Sequence, residues 1–155
     1  MANTTYLKNE VECFVRGELQ RRFGQRFTSR QLKLVTNGSH EFDAVSEDGK
    51  IVVSIKASSG LTSGGNLPSG KFNDNIAELY FLSLVEAEQR ILVLTSPEFH
   101  RLLTRKLEDR IAPGLSIECI SLPDDIQRDV DTVVLEASRE MKRVAEAVAA
   151  ESETT

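Results

Sequence analysis

At 155 residues, 40% of them hydrophobic and 28% charged, the chain has the size and composition of one ordinary domain with enough apolar material for a core. Nineteen Lys and Arg against 24 Asp and Glu leave a formal charge of −5, which excludes a histone-like or ribosomal polycation but not a local basic face. Two cysteines, Cys13 and Cys119, exclude a disulfide framework and a four-thiolate zinc site, and the two histidines, His40 and His100, exclude a histidine-rich metal cage. No run approaches the roughly 18 apolar residues of a membrane helix. The opening MANTTYLKNEVE lacks a secretory pattern, so a cytoplasmic protein with reduced cysteines and no membrane contact is expected.

Charge is unevenly spread. Residues 1–35 carry seven basic and three acidic side chains, whereas 36–96 carry four and eight and the remainder eight and thirteen. A basic first helix on an acidic body suits contact with a phosphate backbone from one side, with Arg16, Arg22 and Arg26 as the contacting residues. The plainer reading is a solvated helix whose C-terminal arginines answer its dipole.

In chain order, Leu7, Val11, Phe14, Val15, Leu19 and Phe23 recur at helical spacing and predict a helix over 7–24, stopped by Gly24. A strand over 31–36 runs into Asn37-Gly38, a hairpin dipeptide, and strands over 41–47 and 51–58 flank a second one, Asp48-Gly49. The Gly/Ser-rich stretch 59–71 predicts a mobile loop. A strongly apolar helix follows over 73–88, and the short run RILVLTS over 90–96 has the continuous apolarity of a buried parallel strand. Ser96-Pro97-Glu98 is an N-cap followed by proline at the first helical position, opening a helix to about 111. A strand over 115–122 and a long helix from Pro123-Asp124-Asp125 to about 150 complete a single domain over 1–150, with 151–155 a frayed tail. The predicted class is α/β with a mixed sheet in the order α-β-β-β-α-β-α-β-α.

The second hairpin carries the chemistry. A two-residue turn at Asp48-Gly49 sets Val45 opposite Val52, Asp43 opposite Ser54 and Glu41 opposite Lys56. Strict alternation then groups Glu41, Asp43 and Val45 with Val52, Ser54 and Lys56 on one face, and Phe42, Ala44, Ile51, Val53 and Ile55 on an apolar one. An acid, a hydroxyl and a lysine thus converge. The plainer reading is a wet sheet face with a weak surface ion pair between Glu41 and Lys56.

In this layout, Gly38-Ser39-His40-Glu41-Phe42-Asp43 followed by Ile51-Val52-Val53-Ser54-Ile55-Lys56, with Glu12 in the preceding helix, resembles the PD-(D/E)XK nucleases. The likeness is to their restriction-endonuclease-like three-layer fold, in its Holliday-junction-resolvase-like branch, and spans residues 8 to about 96. It implies a Mg²⁺-dependent endonuclease, with Mn²⁺ as a substitute, acting on duplex or branched DNA. Asp43 would be the central metal ligand, Lys56 the catalytic lysine and Glu12 the helix carboxylate, with Glu18 a rival near the same stripe. Phosphodiester hydrolysis needs a water made nucleophilic near neutral pH and a neutralised anionic transition state, which carboxylate-held Mg²⁺ and a lysine supply. Ser54 departs from the family, which carries Asp or Glu two residues before the lysine. Some restriction enzymes of this fold also have S-x-K and take the carboxylate from the next helix, which nominates Asp74 and Glu78. The alternative is a decayed site whose fold binds nucleic acid or protein.

Two further motifs are present. Gly65 to Lys71 fits G-x-x-x-x-G-K, a phosphate-cradling loop, but Phe72 replaces the Mg²⁺-binding Ser or Thr. A P-loop-type nucleotide-binding protein is therefore a third reading, and the stretch otherwise reads as a loop beside the hairpin whose amides and Lys71 contact phosphate. In the last helix Ile126, Val130, Val133, Ala137, Met141, Val144 and Val148 form a nearly heptad stripe with one stutter. Packing on the domain's own sheet accounts for it, and its C-terminal half is the candidate homodimer contact.

Overall fold

The computed structural model describes residues 4–58 and 60–153. The elements are α1 (Thr4–Phe23), β1 (Phe27–Lys33), β2 (Ser39–Ser46), β3 (Ile51–Lys56), α2 (Ser69–Ser83), β4 (Gln89–Leu94), α3 (Pro97–Lys106), β5 (Leu115–Cys119) and α4 (Asp124–Glu153). The protein is α/β, and the expected order of elements is the one observed. One five-stranded mixed sheet runs β1-β2-β3-β4-β5, antiparallel over the first three strands and parallel from β3 to β5. Val11, Val15 and Leu19 of α1 and Val130 of α4 pack on one face with Ala44, Ile51, Val53 and Ile55. Leu79 and Leu82 of α2 and Phe99 and Leu103 of α3 pack on the other with Phe42, Val45 and Val52. No helix of the described residues is long and apolar enough to cross a membrane.

Local signals set most of the boundaries. Gly24, at φ +68°, ends α1 and donates its N–H to the Gln20 carbonyl at 2.8 Å. The chain extends again at once, so β1 lies at Phe27–Lys33 rather than 31–36, and Asn37, at φ 72°, turns it into β2. Pro68, extended at φ −61° and ψ 135°, lets α2 begin at Ser69, inside the expected loop. The helix stops at Ser83, five residues before the expected 88, where Arg90 of β4 donates to the Leu82 and Ser83 carbonyls at 3.2 and 3.1 Å. The same guanidinium reaches the Pro113 carbonyl at 3.0 Å and lies against Gly114, whose φ of +81° favours glycine. Ser96 caps α3 as expected, its hydroxyl accepting from the Phe99 N–H at 3.2 Å. The helix ends at Lys106 rather than 111, ahead of Asp109 at φ 60°. The stretch predicted as loop over 59–71 begins at Ser59, which lies outside the described residues, as do Thr154 and Thr155 of the expected tail.

Two expectations about faces are corrected. Thr28 pairs with Val45 but Arg30 with Phe42, so Asp43 and Ala44 stand together opposite Ser29, a β-bulge. The bulge breaks the alternation, and Phe42 lies in the α2/α3 core while Ala44 lies in the α1 core. Val45 and Val52, assigned to a polar face, are fully buried because helices cover both sides of the sheet. On α4 only the first part of the stripe packs down: Val130 is buried, whereas Met141, Val144 and Val148 are 75%, 64% and 60% exposed.

Candidate active site

The β2–β3 hairpin has the predicted register, Val45 opposite Val52 and Ala44 opposite Val53. Beyond Ala44 the ladder stops, and the expected Asp43–Ser54 pair on one face is not formed. The bulge turns Asp43 toward α1, where its Oδ2 accepts the Ile55 N–H at 2.7 Å and takes the place of a strand partner. Ser54 points to the opposite face and donates its hydroxyl to Glu78 Oε2 of α2 at 2.9 Å. The strands therefore part like a fork. Between the prongs lies a polar cavity of about 220 Å³, lined by Lys8, Glu12, Ser29, His40, Glu41, Asp43, Ile55, Lys56 and Glu78.

On the α1 wall, Glu12 is 8% exposed, with its carboxylate held by Arg16 at 2.9 Å and Lys8 at 3.8 Å. Arg16 also donates from Nε to the Asp43 backbone carbonyl at 2.9 Å, tying the helix to the bulge. Burial, followed by the charge of Asp43 and a side-chain hydrogen bond with it, holds the Glu12 carboxyl above its ordinary value of 4.5, against the opposing pull of Lys8 and Arg16. On the α2 wall, Glu78 Oε2 also lies 3.4 Å from His40 Nε2. The His40 ring is stacked on Phe81 at 4.1 Å and edge-on to Phe42 at 4.9 Å, so two aromatic contacts fix the imidazole that steadies Glu78. Glu41, expected opposite Lys56, instead accepts from the Ser29 hydroxyl at 2.9 Å. Among the described residues Lys56 has no ion-pair partner.

Of the residues singled out in the sequence, Asp43, Glu12, Lys56 and Glu78 meet at this cavity, with Ser54 fully buried behind Glu78. Asp74 does not: it is exposed one turn before Glu78 on α2 and is absent from the cavity lining. Glu18 pairs with Arg21 at 2.9 Å and stays outside. The expected backbone-contacting arginines separate. Arg16 is a strut inside the site, Arg22 is paired with Glu118 of β5, and Arg26 sits beside the Asp48-Gly49 turn at the far end of β2, where Glu47 donates to its carbonyl at 2.9 Å. Lys71 is partly buried on the first turn of α2, and burial lowers its pKa. Twelve residues, 57–68, separate β3 from α2, so the Gly65–Lys71 motif does not spring from the strand end. The sequence groups Glu41 with Asp43 and Lys56 but does not nominate Lys8, His40 or Ser29 as lining residues. Only Lys8 had a signal, its position one helical turn before Glu12.

Among the described residues no three His, Cys, Asp or Glu side chains converge into a ready-made metal cage. Glu12 and Asp43 form a two-carboxylate pair, and Glu78 faces them from the other wall. No protein-family model, curated protein or solved structure matches the chain.

Proposed function

We propose that the cavity hydrolyses phosphodiester bonds in DNA with the help of Mg²⁺, and that the domain is restriction-endonuclease-like, of the PD-(D/E)XK kind. One observation carries the reading. Two carboxylates, Glu12 and Asp43, line one polar cavity together with an ammonium, Lys56, that has no ion-pair partner among the described residues.

The donor set fits Mg²⁺. This ion is commonly held by one or two carboxylates and completed by water and substrate phosphate, so a third protein ligand is not required. Asp43 and Glu12 would hold it, and when bound it supplies Lewis acidity and a lowered pKa for an attacking water. The Ile55 N–H fixes one Asp43 oxygen and leaves the other for the cavity. Lys8 and Arg16 orient the Glu12 carboxylate, the form that serves as a ligand. Lys56 stabilises negative charge developing on the phosphoryl oxygens. Glu78 takes the place of the family's missing carboxylate. Ser54 and His40 both engage its Oε2, so its Oε1 is left to orient water.

The test is cleavage of linear duplex, branched and single-stranded DNA with Mg²⁺ and with Mn²⁺, together with titration calorimetry of Mn²⁺. Saturable binding that Asp43→Ala abolishes, and cleavage that Lys56→Ala abolishes, support the reading. Failure of wild-type protein to cut any substrate sinks it. Ser54 and the overall negative charge favour a second reading, a module of this fold that binds nucleic acid without cutting. Gel-shift binding without cleavage would select that one.

A further inference from the structure

Beside the polar cavity lies an apolar cleft of about 290 Å³, walled by Leu7 and Val11 of α1, Ala57 after β3, and Val130, Val133 and Val134 of α4. The two are compartments of one depression. Both are bounded by Lys8, Glu12, Ile55 and Lys56, so a ligand group at the ammonium rim reaches either side. Domain interiors normally close such space by side-chain packing. Here it stays open between α1, the end of β3 and α4, with aliphatic walls and with Lys8, Glu12 and Lys56 also in its lining.

We propose that this cleft receives the base of an unstacked nucleotide whose phosphate lies at Lys56, so that the site acts on single strands or locally opened strands in preference to continuous duplex. The inference rests on the reading of the polar cavity as a phosphodiester site. Its chemistry is that of a ligand with an anionic group joined by a short linker to a flat, weakly polar ring. A nucleotide has that form, and its base reaches a pocket lateral to its own phosphate only when it leaves the stack. The walls carry no aromatic ring, so the base slots between aliphatic side chains with its polar edge at the mouth, where Lys8, Glu12 and Lys56 offer donors and an acceptor.

Two measurements separate this inference from the reading beneath it. Hydrolysis of bis(4-nitrophenyl) phosphate with Mg²⁺ or Mn²⁺ reports the reaction without any base. A short single strand carrying one 2-aminopurine, titrated with wild-type protein in Ca²⁺, reports the base. The expected result is a change in 2-aminopurine emission on binding, and affinity for that strand about tenfold above both its duplex and an abasic analogue. Val133→Phe, with folding verified by its thermal transition, should erase both. Equal affinity for strand, duplex and abasic analogue, with no emission change in wild-type protein, overturns the base pocket even if bis(4-nitrophenyl) phosphate is hydrolysed. An emission change without hydrolysis keeps the pocket and removes the nuclease.

Discussion

At the turn end of the β2–β3 hairpin, Ala44, Val45, Val52 and Val53 are fully buried and face one another in a regular ladder, whereas one residue further along the same strands Asp43 and Ser54 turn to opposite faces and the ladder ceases. The first region is apolar on both sides because helices cover both. In the second the backbone groups are satisfied by side chains instead, the Asp43 carboxylate taking the Ile55 N–H. The contrast shows how a sheet can hold a polar site inside an apolar sandwich. A one-residue bulge in the β1–β2 ladder turns Asp43 toward α1, and charged side chains of α1 and α2 line the gap beyond Ala44. The ladder supplies rigidity and the fork supplies chemistry.

That division can be broken at either end. The largest effects belong to the fork. Lys56→Ala should lower Mg²⁺-dependent cleavage by about 10²–10³-fold, the size of losing one transition-state donor, and should leave Mn²⁺ binding in calorimetry nearly intact. Asp43→Asn should abolish both cleavage and Mn²⁺ binding without lowering the thermal transition, since it relieves repulsion with Glu12 and its amide oxygen still accepts from Ile55. A large fall in its thermal stability would show Asp43 to be structural. Next comes Phe42→Ala, one residue away but wholly buried: by calorimetry or denaturant unfolding it should cost about 3–5 kcal/mol.

Glu12→Gln is a smaller and opposite effect. The folded-state pKa of Glu12 is raised, so the native protein holds this proton where the unfolded chain has lost it, and stability falls as pH climbs from 4.5 through the folded value. Glutamine imitates the protonated form. The variant should therefore melt higher than wild type at neutral pH without metal, match it below 4.5, and lose Mn²⁺ affinity. A lower melting temperature at neutral pH would mean that the pairs with Lys8 and Arg16 outweigh the burial. The smallest effect lies at the turn. Asp48 accepts from the Ser46 hydroxyl at 2.7 Å and the Lys50 N–H at 3.0 Å, and these bonds hold its pKa below the ordinary 3.8. Its contribution is present above 3.8 and lost as pH falls through the folded value. Asp48→Ala should thus lower the melting temperature slightly at neutral pH and not at all in strong acid, with cleavage unchanged.

Signals confined to a few neighbouring residues were legible before any coordinates. Gly24, Asn37-Gly38, Asp48-Gly49 and Ser96-Pro97 mark their breaks through backbone sterics and capping, and the hairpin register follows from its turn. Asp43 and Lys56 are legible because each sits at a fixed place on its own strand, whereas the helix carboxylates stay open between Glu12 and Glu18 and between Asp74 and Glu78. Tertiary structure decided what depends on contacts between elements. The bulge opposite Ser29 sent Asp43 and Ser54 to different faces, because Arg16 and Glu12 of α1 engage Asp43 while Glu78 of α2 engages Ser54. Arg90 ended α2 from a strand seven residues downstream, and His40 became the brace of Glu78 through Phe81. Alternation in a single strand carries no record of those partners, since the energy that breaks it comes from side chains distant in the chain.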